Sequence, residues 1–252
     1  MARKQAAKAA PARVGSVALS VPSTFAQYKT LLAKDLQQEF RTKEMLTSMG
    51  IYALLVLIVY GASLGQTAQA TDVLQISGGL LWALIVFTSL LGLNRSFGHE
   101  KEQGCMEGIL LVPMDRSVIF LAKATSNLLF LLVVEVVAVP LFWFFFLTTA
   151  TPGPDFMLMV APLLMGTIGV AGIGTLLSTI TVNTRGKDVM LAVLFVPLIF
   201  PLLYACASAT TAVVVGSEGY FDVFVQSLAL AGGYDVIMLL LSWVLYDFVI
   251  SA

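Results

Sequence analysis

Long apolar runs alternate with short polar or glycine- and proline-containing breaks along most of this chain. Six runs stand out, at 45–64, 73–93, 118–147, 157–182, 189–215 and 233–251. About 20 apolar residues cross a hydrocarbon core as an α-helix, and these runs meet that length. In lipid only helices or closed barrels satisfy every backbone group, and barrel strands alternate apolar and polar residues. No such alternation is present, so the pattern predicts six transmembrane helices. The third and fifth runs exceed a minimal span, and tilt, kinking or extension into water takes up the excess. Pro140, Pro197 and Pro201 mark the expected kink sites, since each removes a helix hydrogen bond.

Composition agrees with a membrane protein and excludes an ordinary soluble domain. Of 252 residues, 58% are hydrophobic and 12% charged, with a mean hydropathy of +0.92. Soluble domains carry roughly twice that charged fraction. The distribution of Lys and Arg sets the orientation. With the N-terminus inside, 13 of the 14 basic residues fall in inner segments at 1–44, 94–117 and 183–188. The fourteenth, Lys123, sits in the first turns of the third span, where its stem reaches back toward the inner surface. The outer connections, 65–72, 148–156 and 216–222, contain no Lys or Arg. Basic residues concentrate on the cytoplasmic side of membrane proteins, so the N-terminus is expected in the cytoplasm.

Two inner segments are amphipathic. Residues 1–22 are basic, Ala-rich and free of acids, and read as a disordered cytoplasmic tail rather than a secretory signal; a transit peptide has a similar composition. In 23–44, Thr24 and Gln27 have the spacing of a capping box. The helix they open would carry Phe25, Tyr28, Leu32, Leu36 and Phe40 on one face and Lys34, Gln37, Gln38 and Arg41 on the other. That pattern predicts an interfacial helix lying before the first span, the alternative being an extension of that span. The longest polar connection, 94–116, mixes Glu100, Lys101, Glu102 and Glu107 with Met106, Ile109, Leu110 and Leu111, and Pro113 ends the run. A short amphipathic helix under the membrane fits it. Its acids could pair with a soluble partner while Met106, Ile109 and Leu110 fill a groove, which places a docking contact at 97–113, from Phe97 to the proline.

Catalytic signatures are missing. There is no G-x-x-x-x-G-K-[ST] phosphate loop. Gly166, Gly169, Gly172 and Gly174 lie in an apolar run and read as helix-packing positions. His99-Glu100 begins like a zinc-protease motif, but position 103 is Gln and the chain has one histidine. Cys105 and Cys206 imply no disulfide framework; no metal site is expected, and the sequence names no cofactor-binding residues. Glu135 in the third span and Asp235 in the sixth are the intramembrane carboxylates. Such groups are costly in lipid and face a bundle interior or water, so a functional role and a structural hydrogen bond both remain open. An intramembrane enzyme lacks a nucleophile and base.

Three stretches carry a resemblance to a known family: E-K-E-Q-G-C-M-E-G-I-L-L-V-P-M-D-R-S-V-I-F-L-A-K at 100–123, G-T-I-G-V-A-G-I-G-T-L-L-S-T-I-T-V-N-T-R at 166–185, and L-F-V-P-L-I-F-P-L-L at 194–203. The chain resembles the haem exporter protein B (CcmB) family, membrane subunits of the ABC transporter of cytochrome c maturation, over roughly 25–250. The resemblance implies an all-α, six-span ABC-2-type permease domain at 45–252, an amphipathic elbow helix at 23–44, a coupling helix between spans two and three, and re-entrant outer helices before the last span. It assigns Glu100, Glu102, Gly104, Glu107, Pro113 and Lys123 to the coupling region. Cys105-Met106 stands where relatives often carry Ser-Leu. The implied partners are an ABC ATPase subunit that supplies ATP hydrolysis, haem-handling membrane subunits, and a second permease half, either another copy of this chain or a related subunit. Haem is the implied substrate. The alternative is a subunit that moves no haem and instead transmits the ATP cycle to release of a haem-loaded chaperone. The only histidine, His99, is on the inner side, away from any outer axial site.

The threading has a direct test. Single cysteines at 69, 152 and 218 are expected to react with an impermeant thiol reagent in intact cells. Protection of any of them until lysis would reverse that connection.

Overall fold

The structure, a computed structural model, describes residues 23–64, 70–102, 116–147, 156–182, 184 and 186–251. Among the described residues the chain is helical throughout. Seven α-helices follow one another: α1 Thr24–Thr42, α2 Glu44–Leu64, α3 Ala70–Glu102, α4 Arg116–Phe146, α5 Val160–Thr181, α6 Lys187–Val215 and α7 Tyr220–Ser251. A 3-10 turn, Phe156–Met159, leads into α5. Helices α2 to α7 each contain a segment long and apolar enough to cross a membrane, so the chain is a multi-pass membrane protein. Pro140 stands inside α4, and Pro197 and Pro201 inside α6.

The first five spans fall within a few residues of the apolar runs. The sixth does not. Its apolar helix begins at Tyr220 rather than at Gly233 and continues without interruption through Gly232-Gly233. Residues 220–251 form one continuous helix. A glycine costs a helix only about 1 kcal/mol relative to alanine. That is too little to open backbone hydrogen bonds where no water can replace them.

At the other end of the chain, α1 is separate from α2 and not an extension of it. Lys43 adopts φ 55°, in the left-handed region, and its N–H donates to the Glu39 carbonyl at 2.6 Å. The Glu39 side chain then caps the next helix, its Oε1 accepting from the Leu46 N–H at 2.8 Å. The N-cap of α1 is Ser23, whose Oγ accepts from the Ala26 N–H, and not Thr24. Its apolar face is also divided. Phe25 and Phe40 point outward, 75% and 63% exposed, whereas Leu36 packs on the main core. Gln27 and Glu39 are the buried residues of α1.

The core forms around α3, α5 and α6, with Trp82, Leu81, Leu84, Ile173, Phe195 and Ile199 fully enclosed. Helix α5 allows this closeness. A Cβ at Gly166 would lie 2.0 Å from the Trp82 ring, and one at Gly169 would lie 2.0 Å from an Asp235 carboxylate oxygen. Gly174 faces Leu93 of α3, and Gly172 faces Leu239 of α7 in the same way. Trp82 cannot swing aside freely, because its Nε1–H donates to Thr210 Oγ1 of α6 at 3.0 Å. The glycine series of the sequence is a packing surface serving α3 and α7 and, at Gly169 beside Leu202, α6 as well.

Substituting Gly166 by alanine should therefore strain the α3–α5 contact by about 1–3 kcal/mol, the usual cost of overpacking. Gly79 and Gly233 have open space at the Cβ position, and their alanine variants should be neutral or slightly stabilising. Thermal unfolding of the three purified variants in one detergent checks the ranking; equal midpoints would remove the close approach from the account.

Candidate functional site

One face of α4 carries Lys123, Asn127, Leu131 and Glu135, each four residues from the next and each buried. Residues four apart on a helix stack along one side. Two of these side chains bond to α5. The Asn127 Nδ2 donates to Thr175 Oγ1 at 2.9 Å, and Thr167 Oγ1 donates to Glu135 Oε1 at 2.7 Å. Thr175 Oγ1 itself donates to the Ala171 carbonyl at 2.6 Å, so its hydroxyl both accepts and donates. The two rungs ascend α4 as they descend α5, which fixes the pair as antiparallel. They stand eight residues apart, about 12 Å along the axis. Glu135 is thus a buried carboxylate with a donor from the neighbouring helix.

Asp235 is in a different situation. It is 5% exposed, yet among the described residues neither carboxylate oxygen receives a hydrogen bond. It sits over Gly169 of α5, beside Leu202 of α6. Its neighbour Tyr234 is anchored, with the hydroxyl donating to the Leu198 carbonyl of α6. Glycine at 169 makes the room that Asp235 occupies, so the two positions depend on each other. Buried polar atoms without partners cost about 1–3 kcal/mol.

Lys123 does not extend alone toward water. Its ammonium lies 2.9 Å from Asp35 Oδ2 of α1, and the two side chains are 6% and 9% exposed. Ser126 Oγ lies 3.3 Å from the same oxygen, and the Tyr28 hydroxyl donates to Thr125 Oγ1 at 3.1 Å. Helix α1 therefore docks on α4 through polar groups. A small apolar cluster of Ile119, Phe120, Leu176 and Tyr246 lies beside this joint, with Leu31 of α1 packed on it. Arg95 Nη1 and Glu44 Oε1, 2.5 Å apart, tie the end of α3 to the start of α2 at the same end of the bundle.

Of the expected docking residues, the backbone of Phe97, Glu100 and Glu102 belongs to α3, which runs through Glu102 into the segment expected to be a connection. Their side chains, and Gly104, Met106, Glu107, Ile109, Leu110 and Pro113, lie outside the described residues. Asp35, Asn127, Thr167 and Thr175 were not singled out from the sequence. The four-residue stripe on α4 is the signal that points to Asn127; nothing local points to its partner. Near the end of the bundle that carries Arg95 and Lys187, a cleft between Leu93, Asn94, Ser178, Thr181, Lys187 and Leu191 has an empty volume of about 180 Å³. Among the described residues no group of three His, Cys, Asp or Glu side chains is placed to hold a metal ion.

Removing the Asp235 carboxylate while keeping its shape is expected to raise stability. Asp235→Asn should unfold at a higher temperature than the parent chain, by about 1 kcal/mol or more if the desolvation cost dominates. Thr167→Val, which removes a donor from Glu135, should go the other way. A lower midpoint for Asp235→Asn would mean that the carboxylate is satisfied in the membrane.

The model of the CcmB protein family matches residues 26–247. The chain is 28% identical to heme exporter protein B of Pseudomonas aeruginosa over 206 residues, covering 81% of this chain and 90% of that protein. It is 27% identical to heme exporter protein B of Paracoccus denitrificans over 205 residues, covering 81% and 91%, and 26% identical to that of Rhodobacter capsulatus over 175 residues, covering 69% and 78%. The family match takes in all six spans and the helix before them, so this chain belongs to the CcmB protein family.

Proposed function

We propose that the chain is the permease subunit of an ABC transporter that serves haem export in cytochrome c maturation. The family match across 26–247, to proteins named as heme exporters, is the observation that carries this reading. The subunit lies in the bacterial cytoplasmic membrane with its N-terminus, α1 and the 94–116 segment on the cytoplasmic face, as the placement of Lys and Arg supports. It hydrolyses no ATP itself, since its sequence has no phosphate loop. A separate ATPase subunit binds the amphipathic stretch from Phe97 to Pro113, with Glu100, Glu102 and Glu107 as charge partners and Met106, Ile109 and Leu110 as the apolar contact. Gly104 and Pro113 shape that stretch, and Lys123 secures the helix that follows it. ATP sites of such ATPases form between two copies, so the permease works as a pair, with itself or with a related subunit. Glu135 and Asp235 are the buried carboxylates of the transport domain.

A second reading keeps the ATPase and the family but moves no haem through the bundle. The subunit then passes the ATP cycle to haem-handling membrane partners, which release a loaded chaperone. The single histidine, next to the cytoplasmic end of α3, favours it, because it leaves the interior of the bundle without an imidazole ligand for haem iron. A haem absorption spectrum of the purified chain, alone and in its complex, separates the two.

The docking contact is tested by co-purification. Glu102→Lys, Glu107→Lys and Ile109→Asp should each weaken association with the ATPase, the charge reversals by about 2 kcal/mol, as close charge pairs at interfaces do. Membrane insertion should be unchanged. Equal recovery of the ATPase with all three variants would move the interface away from this segment.

A further inference from the structure

We propose that Asp35 and Lys123 form a positioning latch that transmits movement of the α3–α4 connection to α1, and through α1 to the start of α2. The inference rests on the reading of that connection as the ATPase-docking segment. Lys123 lies two turns inside α4, whose first residue, Arg116, directly follows the connection. A helix is stiff over two turns, so a displacement of its start moves Lys123 with it. The Lys123 ammonium holds Asp35 at 2.9 Å, with both side chains more than nine-tenths buried. Such a pair resists separation, because parting two buried charges gives up their attraction without returning them to water; Lys34, 3.4 Å from the other Asp35 oxygen, is more exposed at 39%. The Tyr28–Thr125 hydrogen bond lies beside the ion pair, and Ser126 Oγ stands 3.3 Å from Asp35 Oδ2 and 2.9 Å from the Lys123 carbonyl. One turn further along α1, Glu39 reaches across the break at Lys43 and caps α2 at the Leu46 N–H. The second half of α1 is thus held by polar bonds to two neighbours, Asp35 to α4 and Glu39 to α2.

These bonds have directions that simple adhesion would not require. Leu31 and Leu36 already give α1 apolar contact with the bundle. An anchoring role would be served by more such residues, without the cost of burying two charges. The ion pair adds a fixed register, which lets α1 follow α4 rather than slide over it. Asp35 and Lys123 are accordingly positioning residues: neither touches substrate or nucleotide.

The test uses the full chain in membranes with its ATPase subunit, and compares Asp35→Asn, Lys123→Gln and the exchanged double variant Asp35→Lys/Lys123→Asp. Three quantities are read: membrane abundance of the chain, co-purification of the ATPase, and cytochrome c maturation. Each single variant strands one buried charge and should lower membrane abundance, but the ATPase recovered per chain should stay within twofold of the parent while maturation per chain falls tenfold or more. The exchanged pair should restore at least a third of it. Undiminished maturation in the singles, or a double variant no better than either single, overturns the latch and leaves the docking reading intact. If the singles lose abundance and maturation in proportion, the pair only holds the fold and the latch is likewise overturned. Failure of the ATPase to co-purify with the parent chain overturns the docking reading and the latch with it.

Discussion

The Trp82 ring occupies the space that a side chain at Gly166 would fill, and the Asp235 carboxylate occupies the space beside Gly169. Between helices in lipid there is little hydrophobic drive to associate, because the surrounding tails are as apolar as the side chains. Association then depends on close packing and on hydrogen bonds. Helix α5 supplies the packing by offering bare backbone to α3 on one side and to α7 on the other. With α5 placed, α6 is positioned as well: Trp82 reaches Thr210, and Tyr234 reaches the Leu198 carbonyl. The bundle is organised by the glycines of one helix and by the large or polar residues that use the room they leave.

The hydrogen bonds complete what packing begins. Leucine-rich helices pack in several registers at similar energy, whereas the Asn127–Thr175 and Glu135–Thr167 rungs are satisfied together in only one. Each such bond within a membrane contributes about 0.6 kcal/mol on average, so their effect lies more in register than in stability. Asp235 stands apart from this logic. It is held by the same helix, α5, but has no donor among the described residues. A fold selected for stability alone would place an apolar side chain there, which is why Asp235, rather than Glu135, is the carboxylate with no structural bond to account for it.

How much of this was legible in the sequence depends on the range of the interaction. Spans α2 to α6 follow from runs of apolar residues, because hydropathy over about 20 residues is a property of the run itself. The start of α7 was misread, since Gly232-Gly233 looks like a break to any local rule and becomes harmless only when lipid denies the backbone another partner. The glycine series was readable as packing, but not that it faces Trp82 on one side and Asp235 on the other. Asn127 and Thr175 barely disturb the hydropathy of their helices, and their pairing exists only once α4 and α5 are set antiparallel. Asp35 and Lys123 were each visible as charges. Their pairing spans 88 residues of sequence and needs the docking of α1, which no local pattern encodes.

That docking inverts the usual arrangement of an amphipathic helix. Helix α1 turns Gln27, Asp35 and Glu39 toward the bundle and leaves Phe25 and Phe40 largely exposed. In water this would be unfavourable, since aromatic surface would face solvent while carboxylates are buried. The proposed interfacial placement of α1 would reverse the balance, with the rings at the boundary between headgroups and tails, while the carboxylates find donors in Lys123 and the Leu46 amide. The same argument removes Lys123 from the charges that set topology, because its ammonium is held within the protein by Asp35. The orientation does not depend on it. The other basic residues remain in the segments that flank the spans on one side, and the opposite connections still carry none. A lysine that contributes nothing at the surface, placed where α4 meets α1, has its consequence inside the protein, in the register between those two helices.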